Sequence, residues 1–211
     1  GAKSLSDFRN RYFDNMPNKG YHLTGKVTYT YPSGKWYTLF LSYKYERDYK
    51  SSHSFLYRLD QLDGWGEDSM EKLGSLPSME AYQRMLDAPN SYHSRLYEDN
   101  HQLDPFLNRQ VKGAKGIWSG QFRMPVSYKT RTLRYHRGEV DTTFTKRTIL
   151  LSIYSTYANW KSNDKKKEFR ISYDVNSKAP DMNMYLNIRD TTDPLNITLG
   201  NLNLKNAYDH T

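Results

Sequence analysis

The sequence predicts an all-β protein: long antiparallel strands, forming a partial β-barrel or an open curved sheet, with one short helical insertion. Three observations carry this expectation. Apolar and polar residues alternate with period two over most of the chain, the pattern of strands with two unlike faces. Aromatics make up 15% of the 211 residues, 19 of them Tyr, and a ring with a polar tip suits a half-wet sheet face. The stretch from Gly64 to Pro89 breaks the alternation and is rich in Glu, Met, Leu and Ala.

The elements follow in order. After a lead-in over 1–19, a strand spans 21–31. Tyr21, Leu23, Gly25, Val27, Tyr29 and Tyr31 share one face, and His22, Thr24, Lys26, Thr28 and Thr30 the other. Pro32-Ser33-Gly34 reads as a turn, since proline presets φ and glycine permits positive φ. The return strand, 35–46, sets Tyr37, Leu39, Leu41, Tyr43 and Tyr45 against Trp36, Thr38, Phe40, Ser42 and Lys44. Both arms exceed the usual ~5–6 residues and reach the ~9–11 of a tilted membrane strand. Arg47-Asp48-Tyr49-Lys50 reads as a polar turn before a third strand at 52–59, with Phe55, Tyr57 and Leu59.

The insertion covers 67–88. Within it, Pro77 to Ala88 reads as a helix capped by Ser75 or Ser78, with Met79, Tyr82, Met85 and Leu86 on one side as packing residues. Alternation resumes over 91–98. A polar loop from Glu98 to Gly116 carries Asp104-Pro105. Trp118, Gly120, Phe122, Met124, Val126 and Tyr128 then form the clearest alternating run. Pro125 lies within it and cannot donate to a ladder, which marks an edge or a bulge. Arg137-Gly138-Glu139 makes a turn, and 144–158 supplies Ile149, Leu151, Ile153 and Tyr157. A charged loop from Asn159 to Lys167 precedes a strand at 168–175. The chain thus divides into 1–19, 20–60, 61–116 and 117–211. Gly1-Ala2-Lys3 reads as a processed or engineered start.

Composition narrows the chemistry. With no Cys, disulfide scaffolds, thiolate metal sites and cysteine nucleophiles are excluded. No apolar run approaches the ~18 residues of a membrane helix, which leaves barrels open because their strands alternate. The net charge of +8 points either to an anionic partner or to solvated faces. Only Lys165-Lys166-Lys167 forms a run, which suits a solvated turn. Of the six histidines (His22, His53, His93, His101, His136 and His210), no pair has helical ligand spacing.

No Gly-x-Ser-x-Gly elbow or phosphate loop is present; Gly64-Trp65-Gly66 and Gly113-Ala114-Lys115-Gly116 lack the required pattern. Asp60, Asp63, Glu67 and Asp68 cluster near the helix, and Asp181, Asp190 and Asp193 near the tail. They lack the spacing of a calcium loop and read as turn and helix-start residues. Trp36, Trp65, Trp118 and Trp160 suit stacking on sugars or bases, and equally suit interfacial packing. No cofactor, metal or enzymatic activity is expected.

The tail carries a family likeness. Phe169-Arg-Ile-Ser-Tyr173 ends a strand in tyrosine, and Ala179-Pro-Asp181 follows. Asp193-Pro-Leu-Asn-Ile-Thr-Leu-Gly-Asn-Leu-Asn-Leu-Lys205 then runs toward the end. Together with Leu133-Arg-Tyr-His-Arg-Gly138, and less strongly with Ser91-Tyr-His-Ser-Arg-Leu96, this resembles the C-terminal barrel of TonB-dependent outer-membrane receptors of the type common in Bacteroidetes. Leu202 stands where that family usually has proline.

The resemblance implies a fragment of a bacterial outer-membrane barrel for nutrient uptake, inactive alone, whose parent has about 22 strands around a plugged lumen. This chain would supply about seven or eight strands, with both ends truncated. Implied partners are the rest of its own barrel and plug, the TonB system through that plug, and outer-membrane lipid. The excised fragment would self-associate. Substrate contacts are expected in the loops 60–90 and 98–116, with Trp65, Tyr82, Arg84, Tyr97 and Arg109 as candidates. The alternative reading is a soluble all-β binding module for a glycan or single-stranded nucleic acid, using Tyr and Trp on a basic sheet face.

Overall fold

The computed structural model describes residues 11–31, 37–65, 75–186, 200–201 and 203–211. Its strands are β1 (Arg11–Tyr31), β2 (Tyr37–Arg58), β3 (Tyr92–Lys112), β4 (Gly116–Arg123) and β5 (Val126–Arg137). They continue as β6 (Val140–Leu151), β7 (Ile153–Ser162), β8 (Glu168–Lys178) and β9 (Ala207–His210). One sheet holds all nine in the order β1-β2-β3-β4-β7-β8-β9, with β5 paired to β3 and β6. The path ends at β1 and β9, so the sheet is open. The protein is all-β and mainly antiparallel, as its alternation predicts.

The strands are longer than the sequence suggests. Arg47-Asp48-Tyr49-Lys50 is not a turn: β2 runs straight through it and absorbs the separate strand expected at 52–59. The polar residues are carried by cross-strand partners, since Asp48 bonds His22 at 2.8 Å and Glu46 accepts from Asn100 at 2.9 Å. Likewise Glu98 to Gly116 is not a loop. β3 extends to Lys112, and the chain reverses only over 113–115.

Pro105 survives inside β3 because the sheet's irregularities gather beside it. Across the ladder Phe106 faces Arg123, immediately before a break at Met124-Pro125, and Pro105 accepts from the Met124 N–H at 3.3 Å. Pro125 therefore marks a break between β4 and β5, as its missing donor predicts. A matching break at Ser152 separates β6 from β7, and the Ser152 N–H bonds the Pro125 carbonyl at 3.1 Å.

Two compact units form, each from three stretches of chain. One comprises Gly1–Tyr21, Tyr49–Tyr97 and Thr132–Phe144; the other comprises His22–Asp48, Glu98–Arg131 and Thr145–Thr211. The first unit buries Leu56, Tyr57, Leu59, Leu133 and Tyr135. Its helix, α1 (Met79–Gln83), is shorter than expected. Ser78 stands at the cap position but its side chain makes no cap bond; its carbonyl accepts from Ala81 and Tyr82 at 3.0 and 3.1 Å.

The chain then returns along the end of β2. Arg58 N–H donates to Met85 O, and Asp87 N–H to Leu56 O, both at 2.8 Å. This pairing takes over after α1, so the helix stops within two turns. Residues 66–74, the first part of the expected insertion with Glu67 and Asp68, lie outside the described residues, as do Trp36 and Pro32-Ser33-Gly34, where a turn is expected.

The second unit has a smaller core of Leu150, Val175, Met182 and Tyr185. Met182–Tyr185 form a 3-10 turn started by Asp181, whose side chain accepts from Asn183 N–H. Arg131 bonds the Pro180 carbonyl at 2.6 Å, and Lys146 lies over the Tyr185 ring at 4.7 Å. The expected loop from Asn159 to Lys167 is shorter than predicted: β7 continues to Ser162, and the chain reverses over 163–167 before β8. Of the family-like tail, 187–199 and Leu202 lie outside the described residues, which takes in Asp190, Asp193 and the Asp193–Leu199 run.

Candidate functional site

Within the second unit, cross-strand contacts fix which residues share each face. Thr28 bonds Ser42 at 2.9 Å and Phe40 packs on Phe106 at 5.5 Å, so the even positions of β1, β2 and β3 lie together. Register carries this face onward through Phe106↔Arg123, Gln121↔Tyr157 and Tyr157↔Ser172. It is a polar, hydrogen-bonded face. Asn100 bonds Glu46, Arg123 grips Asp104, and Arg170 lies over the Tyr157 ring at 4.3 Å.

The opposite face follows from the same register. Leu107↔Phe122, Val111↔Trp118, Trp118↔Trp160, Trp160↔Phe169 and Ala158↔Ile171 pair across four strands. By alternation Leu23, Val27, Tyr29, Tyr31, Leu39, Leu41 and Leu103 continue it through β1, β2 and β3. All but the half-buried Trp160 are exposed, Val27 at 70% and Ile171 at 61%. Single exposed apolar residues are ordinary, but a contiguous field of this extent marks an interaction surface.

Aromatic and polar groups lie along this field. Tyr43 bonds His101 at 2.7 Å, Tyr45 donates to Asp99 at 2.6 Å, and Arg47 approaches Asp99 at 3.7 Å. With Thr130 they line a shallow recess of about 630 Å³. Toward the turn at 113–115, Trp118 and Trp160 stand 6.4 Å apart. An aromatic body with a polar tip suits a boundary between apolar and aqueous surroundings.

The residues singled out from sequence scatter. Tyr82, in α1, packs edge-on against Tyr12 and Tyr57 at 5.4 and 5.0 Å, which makes it a packing residue of the first unit. Arg84 is exposed at the end of α1, and Trp65 is half-buried after the 3-10 turn Leu59–Gln61. Tyr97 lies in β3, as the alternation over 91–98 predicts, and Arg109 lies in the same strand instead of a loop. Tyr97 packs on Tyr49 at 5.0 Å beneath Arg134, whose guanidinium is 5.6 Å away. Arg109 is exposed opposite Gly120, on the apolar face between Leu107 and Val111.

The structure therefore brings no group of these five into one site. It does bring together residues that the sequence reading passed over. Asp104 and Arg123 form a two-pronged pair with bonds of 2.9, 3.1 and 2.5 Å, and Arg131 is buried. Alternation alone puts Arg123, Lys129 and Arg131 on the face opposite Trp118 and Tyr128, so the signal was present in the sequence.

Among the described residues no group of His, Asp or Glu could hold a metal ion, and no helix is long and apolar enough to cross a membrane. No family model, curated protein or solved structure matches the chain.

Proposed function

We propose that the chain is a wall segment of an outer-membrane β-barrel of the TonB-dependent receptor type, serving nutrient uptake in its parent protein. The carrying observation is the division of the second unit's sheet into an exposed apolar face and a hydrogen-bonded polar face. A barrel wall has this division because its outer face meets hydrocarbon and its inner face meets a polar lumen. Strands also suit the bilayer core, where each backbone N–H and C=O needs a partner within the protein. The resemblance of the tail adds the receptor type. On this reading lipid covers Leu107, Phe122, Ile171 and their neighbours. The plug and remaining strands belong to the parent, and the TonB system acts through that plug.

Because the chain has no Cys, single cysteines can carry an environment-sensitive fluorophore without background. Placed one at a time from Glu168 to Tyr173 in vesicle-reconstituted protein, the label should report hydrocarbon at 169, 171 and 173 and water at 168, 170 and 172. Ile171→Arg should oppose insertion by about 2–4 kcal/mol if that position lies near the bilayer midplane, whereas Ser172→Arg should have little effect. Uniformly aqueous labels, or labels without alternation, would sink the reading. Salt-sensitive oligonucleotide binding in their place would favour a soluble module.

A further inference from the structure

We propose that Arg131 is a carboxylate-binding site on the polar face of the second unit. Arg131 lies in β5 and is only 4% exposed. Its Nη1 donates to the Pro180 carbonyl at 2.6 Å. Among the described residues, Nε and Nη2 are buried with no hydrogen-bond partner. These two nitrogens form one edge of the planar guanidinium, shaped to meet both oxygens of a carboxylate in parallel bonds.

The chain uses that same edge twice elsewhere. Arg123 holds Asp104 through Nε and Nη2, and Arg58 holds Asp60 in the same way. Arg131 has the edge without the acid. A guanidinium does not shed its proton, so burial cannot be relieved by neutralisation. Leaving its donors unmade is costlier than leaving neutral ones.

The carboxylate that follows Pro180 in the chain and the one that meets Lys129 both have other partners. Glu98 accepts from Lys129 at 2.9 Å, and Asp181 accepts from the Asn183 N–H at 2.8 Å. The site therefore favours an incoming anion, and the guanidinium edge selects a planar carboxylate. Since the edge is closed to bulk solvent, the surrounding residues must yield to admit it, and association is slow. The inference rests on the wall reading only for the source: a free carboxylate solute in the lumen, or an Asp or Glu of a polypeptide seated there.

The test uses the full chain in detergent micelles, with 15N in its arginine side chains. Sodium acetate and a blocked peptide, acetyl-Gly-Asp-Gly-amide, are titrated against sodium chloride at matched ionic strength. The Arg131 Nε–H resonance, identified by its absence in Arg131→Lys, should move downfield saturably with the carboxylates and not with chloride. Peptide affinity at least tenfold above acetate supports a polypeptide source, and equal affinities support a free solute.

Indifference to both carboxylates overturns the proposal, as does a saturable binding heat that survives in Arg131→Lys. A resonance already downfield without ligand, and moved upfield by Asp181→Asn, overturns it in favour of an internal partner. Should Arg131→Lys not fold, Arg131→Gln supplies the assignment and the wild-type titration still decides. Loss of the acetate response with an intact labelling pattern sinks this inference alone. The reverse result sinks the wall reading alone.

Discussion

Arg58, Arg109 and Arg123 show how far position along a strand decides what a charge does. Arg109 stands on the apolar face, where its long stem can lie along Leu107 and Val111 while its head reaches toward the strand end. Arg123, one ladder position from Phe122, points the other way and is held by Asp104. Arg58 lies at the end of β2 and is held by Asp60 at 2.8 and 2.5 Å.

That last pair gives a prediction about pH. The Arg58 hydrogen bonds hold the Asp60 carboxyl below its ordinary value, outweighing the opposing effect of burial. A carboxyl whose folded pKa is lowered stabilises the fold above its unfolded pKa and loses that contribution as pH falls through the folded one. Urea midpoints taken from about pH 6 down to about pH 2 should therefore fall more for the wild type than for Asp60→Asn. Both groups are about one-third exposed (32% each), so the difference should be about 0.5 kcal/mol, the size expected of a solvent-screened pair. Identical pH profiles would show that the pair adds nothing to stability. Of the candidate residues, Tyr97 falls in a stretch whose alternation reads as strand, whereas Arg109 becomes a strand residue only because β3 continues past Glu98, which spacing alone does not reveal.

Strand identity was legible wherever alternation was uninterrupted, as in β4, β8 and residues 21–31 of β1, whereas the start of β1 from Arg11 falls in the stretch expected to be a lead-in. It failed where residues that ordinarily end strands were compensated by neighbours. Arg47, Asp48 and Lys50 suggest a turn when read along the chain, but His22 and Asp99 meet the first two from adjoining strands. Asp104-Pro105 suggests a loop, but Asp104 is paired with Arg123, and the missing donor of Pro105 lies beside a break already present in β4–β5. Such compensation is between strands, and a one-dimensional pattern does not carry it.

Glycine offers a direct test at this scale. A Cβ on Gly116 would lie 2.5 Å from the Lys161 carbonyl oxygen and 2.7 Å from Trp160 Nε1, whereas one on Gly25 would have nothing within 4 Å. Gly116→Ala must push the β4 and β7 backbones apart where they pair, and should cost about 1–3 kcal/mol. Gly25→Ala should be neutral or slightly stabilising, because glycine weakens a strand interior. Chemical denaturation of the two variants decides it, and equal midpoints would refute the close approach at Gly116.

At the scale of the whole molecule, the sequence shows two faces but not what meets them, since a soluble sheet with one wet side alternates in the same way. The second unit's apolar face has physical consequences in any solvent. Its leucines, isoleucines and aromatic rings occupy neighbouring positions on several strands, so water released by covering one is released along with that of the next, and the gain grows with area. The sheet ends at β1, whose 21 residues also offer a long edge for pairing.

In buffer without lipid or detergent, the chain should therefore associate with further copies of itself, through the face more than the edge. Detergent above its critical micelle concentration should return it to monomers, because micellar hydrocarbon covers the same side chains. Leu107→Lys combined with Ile171→Lys should favour the monomer without detergent, since each places a charge where the contact would bury it. Multi-angle light scattering over a concentration series gives the mass directly. Oligomers that ignore both detergent and the double substitution would assign association to the β1 edge, and a strict monomer at high concentration without lipid would show that this face does not drive self-association.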